Sequence, residues 1–176
     1  MTTKTLQPLI PEGDIRQRVE ELAQELSGAY AGRRILVVGV LEGARRFAQD
    51  IVRSLSVEAE LDWTRVSSYG PGTRSNGQVA EILAPQSPVE GRDVLLVEDI
   101  VDSGRTLAHL NRRLAAMRPV SLRTCTLLDK PARRVVPVEP DYVGFRVPDQ
   151  FVVGYGLDWD GRYRELPFIG VFEENE

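Results

Sequence analysis

Apolar residues recur along this chain in two alternating periods. Ile15, Val19, Leu22, Ala23, Leu26 and Tyr30 fall three or four positions apart, which puts them on one face of a helix, and Pro11-Glu12-Gly13-Asp14 just before them has the composition of a helix start. Ile35 to Val40 is instead a short continuous apolar run, the mark of a strand covered on both faces. Phe47, Ala48, Ile51, Val52 and Leu55 return to helical spacing. Strand-like runs follow around Ala59 to Val66, Val79 to Leu83, Val94 to Val97 and Leu122 to Leu128, and Thr106, Leu107, Leu110, Leu114 and Met117 predict a helix from about Arg105 to Met117. Strands alternating with helices predict an α/β fold with a mostly parallel twisted sheet and helices on both faces. There is no repeat or low-complexity tract. At 176 residues and 42% hydrophobic content the chain is long enough for one domain with a real core, and residues 1–176 are expected to form one.

The junction Val94-Leu95-Leu96-Val97-Glu98-Asp99-Ile100-Val101-Asp102-Ser103-Gly104-Arg105-Thr106 carries the most chemistry. A buried-type strand delivers Glu98, Asp99 and Asp102 to its carboxyl end, where open α/β sheets bind ligands. Ser103, Gly104, Arg105 and Thr106 then open a helix with free backbone N–H groups, two hydroxyls and a guanidinium, which together suit a phosphate. Glu98 and Asp99 offer only acceptors at neutral pH, which suits ribose hydroxyls or a hydrated divalent metal rather than the phosphate. The plainer reading makes Asp102 or Ser103 a helix cap and the other acids solvated loop residues. Capping needs one side chain, however, and this turn sets three acids, two hydroxyls and a glycine side by side. Two other diphosphate motifs are absent. No G-x-x-x-x-G-K-[ST] string occurs, and the acids follow a strand rather than lying within a helix, as they do in all-helical enzymes that bind magnesium diphosphate.

Charge narrows the partners. A formal charge of −4 with no basic stripe interleaved with aromatics excludes nucleic acid as the main partner. An acidic protein that binds a phosphorylated sugar must supply positive potential locally, through helix-terminal amides, a few arginines and bound Mg²⁺. No apolar stretch approaches the roughly 20 residues that cross a bilayer, and Met1-Thr2-Thr3-Lys4-Thr5 lacks the apolar segment of a signal peptide, so a cytoplasmic protein without a membrane partner is expected. The single cysteine, Cys125, agrees with a reducing compartment and lies in an apolar run, as a packed strand residue rather than a nucleophile. His109 has no ligand-spaced neighbours and reads as structural.

The acidic junction resembles the phosphoribosyl diphosphate signature of type I phosphoribosyltransferases. Further blocks narrow the resemblance to hypoxanthine-guanine phosphoribosyltransferases. Gly39-Val40-Leu41-Glu42-Gly43-Ala44 looks like that family's diphosphate loop, which carries a cis peptide there, and Ser67-Ser68-Tyr69-Gly70 looks like the start of its mobile active-site loop, about 68–78. Leu127-Leu128-Asp129-Lys130 looks like its base-reading lysine segment. Pro140-Asp141-Tyr142-Val143-Gly144-Phe145, Phe151-Val152-Val153-Gly154-Tyr155-Gly156-Leu157-Asp158 and Arg164-Glu165-Leu166-Pro167 look like its purine-and-metal segment. These blocks stand in the family's order over about residues 14–172. The acidic run alone gives a phosphoribosyltransferase; the C-terminal block makes the match specific to 6-oxopurines.

The resemblance implies transfer of a phosphoribosyl group from phosphoribosyl diphosphate to hypoxanthine or guanine, with Mg²⁺ as cofactor, by a homodimer or homotetramer whose small hood comes from the terminal segments and a purine-binding stretch at about 130–170. It implies Asp102 as the proton-handling catalytic residue near the purine N7. It places the 5′-phosphate on Ser103, Gly104, Arg105 and Thr106, the ribose hydroxyls and metal-bound water on Glu98 and Asp99, and the diphosphate on Leu41, Glu42, Gly43 and Arg164. Ser68 and Tyr69 belong to the lid, Lys130 donates to the 6-oxygen, Phe151 stacks on the base, the Val152 carbonyl accepts the 2-amino group of guanine, and Asp158 is the direct Mg²⁺ ligand. Because the 2-position contact runs through backbone, a xanthine-preferring transferase is left open. The chain departs from the family at Glu42, where a lysine is usual, which sets a like charge beside an anionic leaving group; Arg45 and Arg46 follow closely enough to compensate. That departure leaves open a nucleotide-binding regulator of the same fold. Trp159, in place of a tyrosine, is a milder change.

Overall fold

The computed structural model describes residues 4–68 and 79–174. Its elements in chain order are β1 (Lys4–Ile10), α1 (Glu12–Ala29), β2 (Arg34–Leu41), α2 (Arg45–Ser54), β3 (Glu58–Ser68), β4 (Val79–Leu83), β5 (Asp93–Val101), α3 (Arg105–Ala116), β6 (Ser121–Asp129), β7 (Tyr142–Arg146), β8 (Val152–Val153) and β9 (Ile169–Glu174). The main sheet runs β4-β3-β2-β5-β6-β7, parallel throughout except for the antiparallel edge strand β4.

Strand alternation decides which face each helix covers. Ile35, Val37, Leu95, Val97, Cys125 and Leu127 point to one side, where they pack with Ile15, Leu22 and Leu26 of α1 and Phe47 and Ile51 of α2. Leu36, Val38, Val94 and Leu96 point to the other, against Leu107, Leu110 and Leu114 of α3. Both sets are almost wholly buried, so truncating one of these residues, Leu95→Ala for example, would cost about 2–5 kcal/mol. The expected parallel sheet with helices on both faces is the fold observed.

The apolar run at Val94 to Val97 marks only part of β5. Its ladder with β6 continues past the acids, pairing Glu98 with Thr126, Ile100 with Leu128 and Val101 with Asp129. Glu98 and Asp99 therefore ride on strand backbone paired to β6, and both line the cleft at the sheet's carboxyl end. A second, antiparallel sheet of order β1-β9-β8 joins both ends of the described chain. It answers to the hood expected from the terminal segments. The expected hood stretch of 130–170 divides between the two sheets, because Tyr142–Arg146 pairs with β6 as the edge of the main sheet.

Candidate active site

The carboxyl ends of β2 and β5 meet at a glycine. A Cβ built on Gly43 would fall 2.6 Å from Asp99 Cγ and overlap its Oδ2, so the absence of a side chain there lets the carboxylate rest on the loop backbone. The peptide between Leu41 and Glu42 is cis. Beside it a cleft of about 290 Å³ is lined by Val40, Glu98, Asp99, Asp102, Ser103 and Thr106, among others. Glu98 is 4% exposed and its Oε1 is buried without a partner. Burial, then the Asp99 charge, pushes its carboxyl well above the ordinary 4.5. Asp99 is pushed up to about 6, by burial first, while the Ile100 N–H (2.9 Å) and Arg164 pull the other way. Desolvation and the neighbouring carboxylate act on Glu98 in the same direction, both disfavouring its charged form.

The turn after β5 does not cap α3 with a side chain. The N-cap of α3 is Gly104, at φ 83° in the left-handed region, with no side-chain cap bond. Asp102 is therefore not a cap, and Ser103 Oγ only accepts a long bond from the Arg105 N–H at 3.4 Å. The turn is held from behind: the Ser103 carbonyl accepts from the N–H groups of Val135 (2.9 Å) and Val136 (3.2 Å). A Cβ on Gly104 would lie 2.7 Å from Val138 and 2.9 Å from Arg134. Arg105 is exposed and Thr106 half-buried. Asp102 Oδ1 has Arg133 Nε 3.4 Å away but makes no hydrogen bond. Arg134 donates to the Asp102 carbonyl at 3.5 Å and pairs with the fully buried Asp129. Arg133, Arg134 and Asp129 escaped sequence reasoning as supports of this turn, since nothing local marks a contact made across the sheet.

The hood approaches the same loop. Gly156, at φ 103°, lies so close to the Gly43 carbonyl that a Cβ would overlap its oxygen. Arg164 donates to the Gly156 carbonyl at 2.6 Å and pairs with Asp158 at 2.9 Å, while Asp158 Oδ2 accepts the Gly161 N–H at 2.7 Å. Glu42 is neutralised within the chain, by Arg45 at 3.1 Å and by Arg65. Arg46, expected to help, is turned away: it donates to the Leu166 carbonyl at 3.1 Å and stacks over Tyr155 at 4.6 Å. Arg65 carries no motif signal and was missed.

At the far side of the same sheet end, Lys130 is 5% exposed and donates its Nζ hydrogen to the Gln150 carbonyl, while its backbone N–H reaches the Val101 carbonyl at 2.9 Å. A buried lysine at the shared end of β5 and β6 is not a solvated surface charge. Phe151 is 58% exposed and meets Trp159 edge-on at 6.2 Å, and Val152 is buried on β8. Ser68 ends β3. Its side chain, Tyr69 and the rest of the expected lid lie outside the described residues.

Among the described residues no three His, Cys, Asp or Glu side chains converge as a metal cage. Mg²⁺ does not need one, since it keeps several waters and takes one or two carboxylates together with substrate oxygens. The partnerless Glu98 Oε1, with Asp99 beside the loop at Gly43, is a hard-oxygen set of that kind, and Asp158 is linked to the same loop through Arg164 and Gly156.

Comparison with known proteins agrees with this geometry. The family model described as the phosphoribosyl transferase domain matches residues 12–160. A Listeria innocua protein named Bifunctional protein TilS/HprT is 50% identical over 165 residues, which are 94% of this chain and 26% of that protein, so the chain spans about a quarter of this longer relative. The hypoxanthine-guanine phosphoribosyltransferase of Bacillus subtilis is 46% identical over 165 residues, covering 94% of this chain and 92% of that one. The crystal structure of a hypoxanthine phosphoribosyltransferase from Staphylococcus aureus matches with a TM-score of 0.90 at 41% identity, over 95% of this chain and 91% of that one. The chain belongs to the phosphoribosyl transferase domain family and, within it, to the hypoxanthine-guanine phosphoribosyltransferases.

Proposed function

We propose that this protein is a purine salvage enzyme that transfers the 5-phosphoribosyl group of phosphoribosyl diphosphate to hypoxanthine or guanine, giving IMP or GMP and diphosphate. The observation that carries the reading is the packing of Asp99 on Gly43, which joins the acidic strand end to the diphosphate loop in one cleft. The transition state gathers positive charge on the ribose and negative charge on the departing diphosphate, so the site must align both partners, neutralise the leaving group and manage one proton on the base. Asp102 takes the proton step near N7. Ser103, Gly104, Arg105 and Thr106 hold the 5′-phosphate, Glu98 and Asp99 face the ribose hydroxyls, and the backbone of Leu41, Glu42 and Gly43 with Arg164 holds the diphosphate. Lys130 donates to the 6-oxygen, a contact that adenine's amino group cannot accept. Phe151 stacks on the base and the Val152 carbonyl reads the 2-position. Mg²⁺, held by Asp158 with Glu98 and Asp99, would supply positive charge to the leaving diphosphate.

The whole chain works as one domain, with Ser68 and Tyr69 in a lid at 68–78, in the cytoplasm, as a homodimer or homotetramer. No described helix is long and apolar enough to cross a membrane. The regulator reading loses its support, because Glu42, its one basis, is neutralised by two arginines. The test is to incubate the protein with phosphoribosyl diphosphate, Mg²⁺ and hypoxanthine, guanine, xanthine or adenine in parallel, and to follow nucleotide formation. Turnover with hypoxanthine or guanine and not adenine is expected. Preference for xanthine would select the alternative transferase, and no turnover with any base would overturn the reading.

A further inference from the structure

Glu42 stands where the family carries a lysine, yet its surroundings undo the charge reversal. Its Oε2 accepts from both Nε and Nη2 of Arg45, each at 3.1 Å, and its Oε1 pairs with Arg65 Nη2. Two guanidiniums around one carboxylate leave a net charge of +1, that of a single lysine. All three side chains are between about a third and a half exposed, and pairs this exposed add little to stability. A structural account explains only half of the cluster. Arg45 opens α2 with no acidic residue in the first turn, where the helix dipole disfavours a cation, and Glu42 relieves that. Arg65 is not on α2. It stands at the last rung of the β2–β3 ladder opposite Leu41, at the sheet end where Asp99 meets Gly43, and its Nε is buried with no acceptor.

Resting on the functional reading above, we propose that Arg65 is a binding determinant for phosphoribosyl diphosphate and that Glu42 is a positioning residue: its carboxylate tethers Arg65 beside the diphosphate loop, where the guanidinium supplies the charge that a lysine would otherwise bring. A guanidinium fork matches phosphate oxygens in geometry as well as charge. The two possible roles of Glu42 differ in sign. As a mere negative charge beside an anion, its removal would tighten binding; as a tether, its removal loosens binding, and only while Arg65 is present.

The experiment is calorimetric titration of magnesium phosphoribosyl diphosphate into the wild type, Arg65→Gln, Glu42→Gln and the double variant, with thermal unfolding and IMP binding measured alongside. Arg65→Gln should weaken phosphoribosyl diphosphate binding by about five- to tenfold, with IMP affinity and Tm unchanged. Glu42→Gln should weaken it in the wild-type background and have no such effect in the Arg65→Gln background. Unchanged affinity in Arg65→Gln, tighter binding in Glu42→Gln in both backgrounds, or a parallel loss of IMP affinity and Tm would overturn the inference while the wild type remains active. A wild type that binds no phosphoribosyl diphosphate would overturn the functional reading along with it.

Discussion

The Asp99 carboxylate rests on the Cα of Gly43, in space that a single methyl group would occupy. Gly156 completes the stack, its own Cα set against the Gly43 carbonyl. Acidic strand, diphosphate loop and hood are therefore in mutual register at one point. Adding a methyl to a packed site typically costs about 1–3 kcal/mol, so Gly43→Ala and Gly156→Ala should each lower kcat/KM by about tenfold to hundredfold. Gly28, inside α1 with nothing within 4 Å of a built Cβ, is the control. Gly28→Ala should leave kcat/KM intact and raise stability by about 0.5–1 kcal/mol. Steady-state kinetics and thermal unfolding of the three variants check this.

Lys130→Gln should erode the choice of base. The buried lysine presents only donors, whereas an amide turns either a donor or an acceptor toward position 6. Losing a charged hydrogen bond costs about 1.5–3 kcal/mol, so kcat/KM for hypoxanthine should fall by about tenfold to hundredfold and the hypoxanthine-to-adenine ratio should fall with it. An unchanged ratio would remove Lys130 from base reading.

Alkaline pH should test the core under β6 and α1. Burial pushes the Cys125 thiol from its ordinary 9.0 up to about 12 and the Tyr30 hydroxyl from 10.0 up to about 12. The folded chain holds these protons where the unfolded chain releases them. The stability this contributes is complete below pH 9 and is lost as pH rises from there toward about 12. Tm should be insensitive to these groups up to pH 9 and fall beyond it. A thiol reagent should label Cys125 at neutral pH only after unfolding, because the sulfur is buried as well as protonated. Labelling of the native chain at its unfolded rate would contradict this.

Much of this architecture was legible in the chain, for identifiable reasons. The centres of β2 and β5, Ile35 to Val38 and Val94 to Val97, are buried on both faces and so read as continuous apolar runs, and α1 and α3 carry their core residues at helical spacing. The hood strands carry no such signal. Strand β1 contains Pro8 and half-exposed residues, and its partner β9 lies at the far end of the chain, so only a long-range pairing makes it a strand. The end of β5 was hidden because Glu98 and Asp99 interrupt the apolar run while the ladder with β6 continues beneath them. Within the site, Asp99 meets Gly43, and Gly156, held by Arg164, meets the Gly43 carbonyl. Arg65, Arg133 and Arg134 carry no motif, since a surface arginine becomes meaningful only when folding sets a carboxylate or carbonyl beside it.

The central claim is that the acidic strand end performs chemistry and does not only bind, and Asp102→Asn tests it most directly. The amide keeps the size of the side chain, and the turn around it is held by the Val135 and Val136 N–H groups on the Ser103 carbonyl and by the Arg134 guanidinium on the Asp102 carbonyl, all of which the substitution leaves in place. It cannot take the proton. IMP binding measured by calorimetry should therefore stay within about threefold of wild type, while kcat for hypoxanthine falls by about a hundredfold to ten-thousandfold, the usual range for general acid–base catalysis. A variant that binds IMP normally and turns over within about threefold of wild type would contradict the account at its centre.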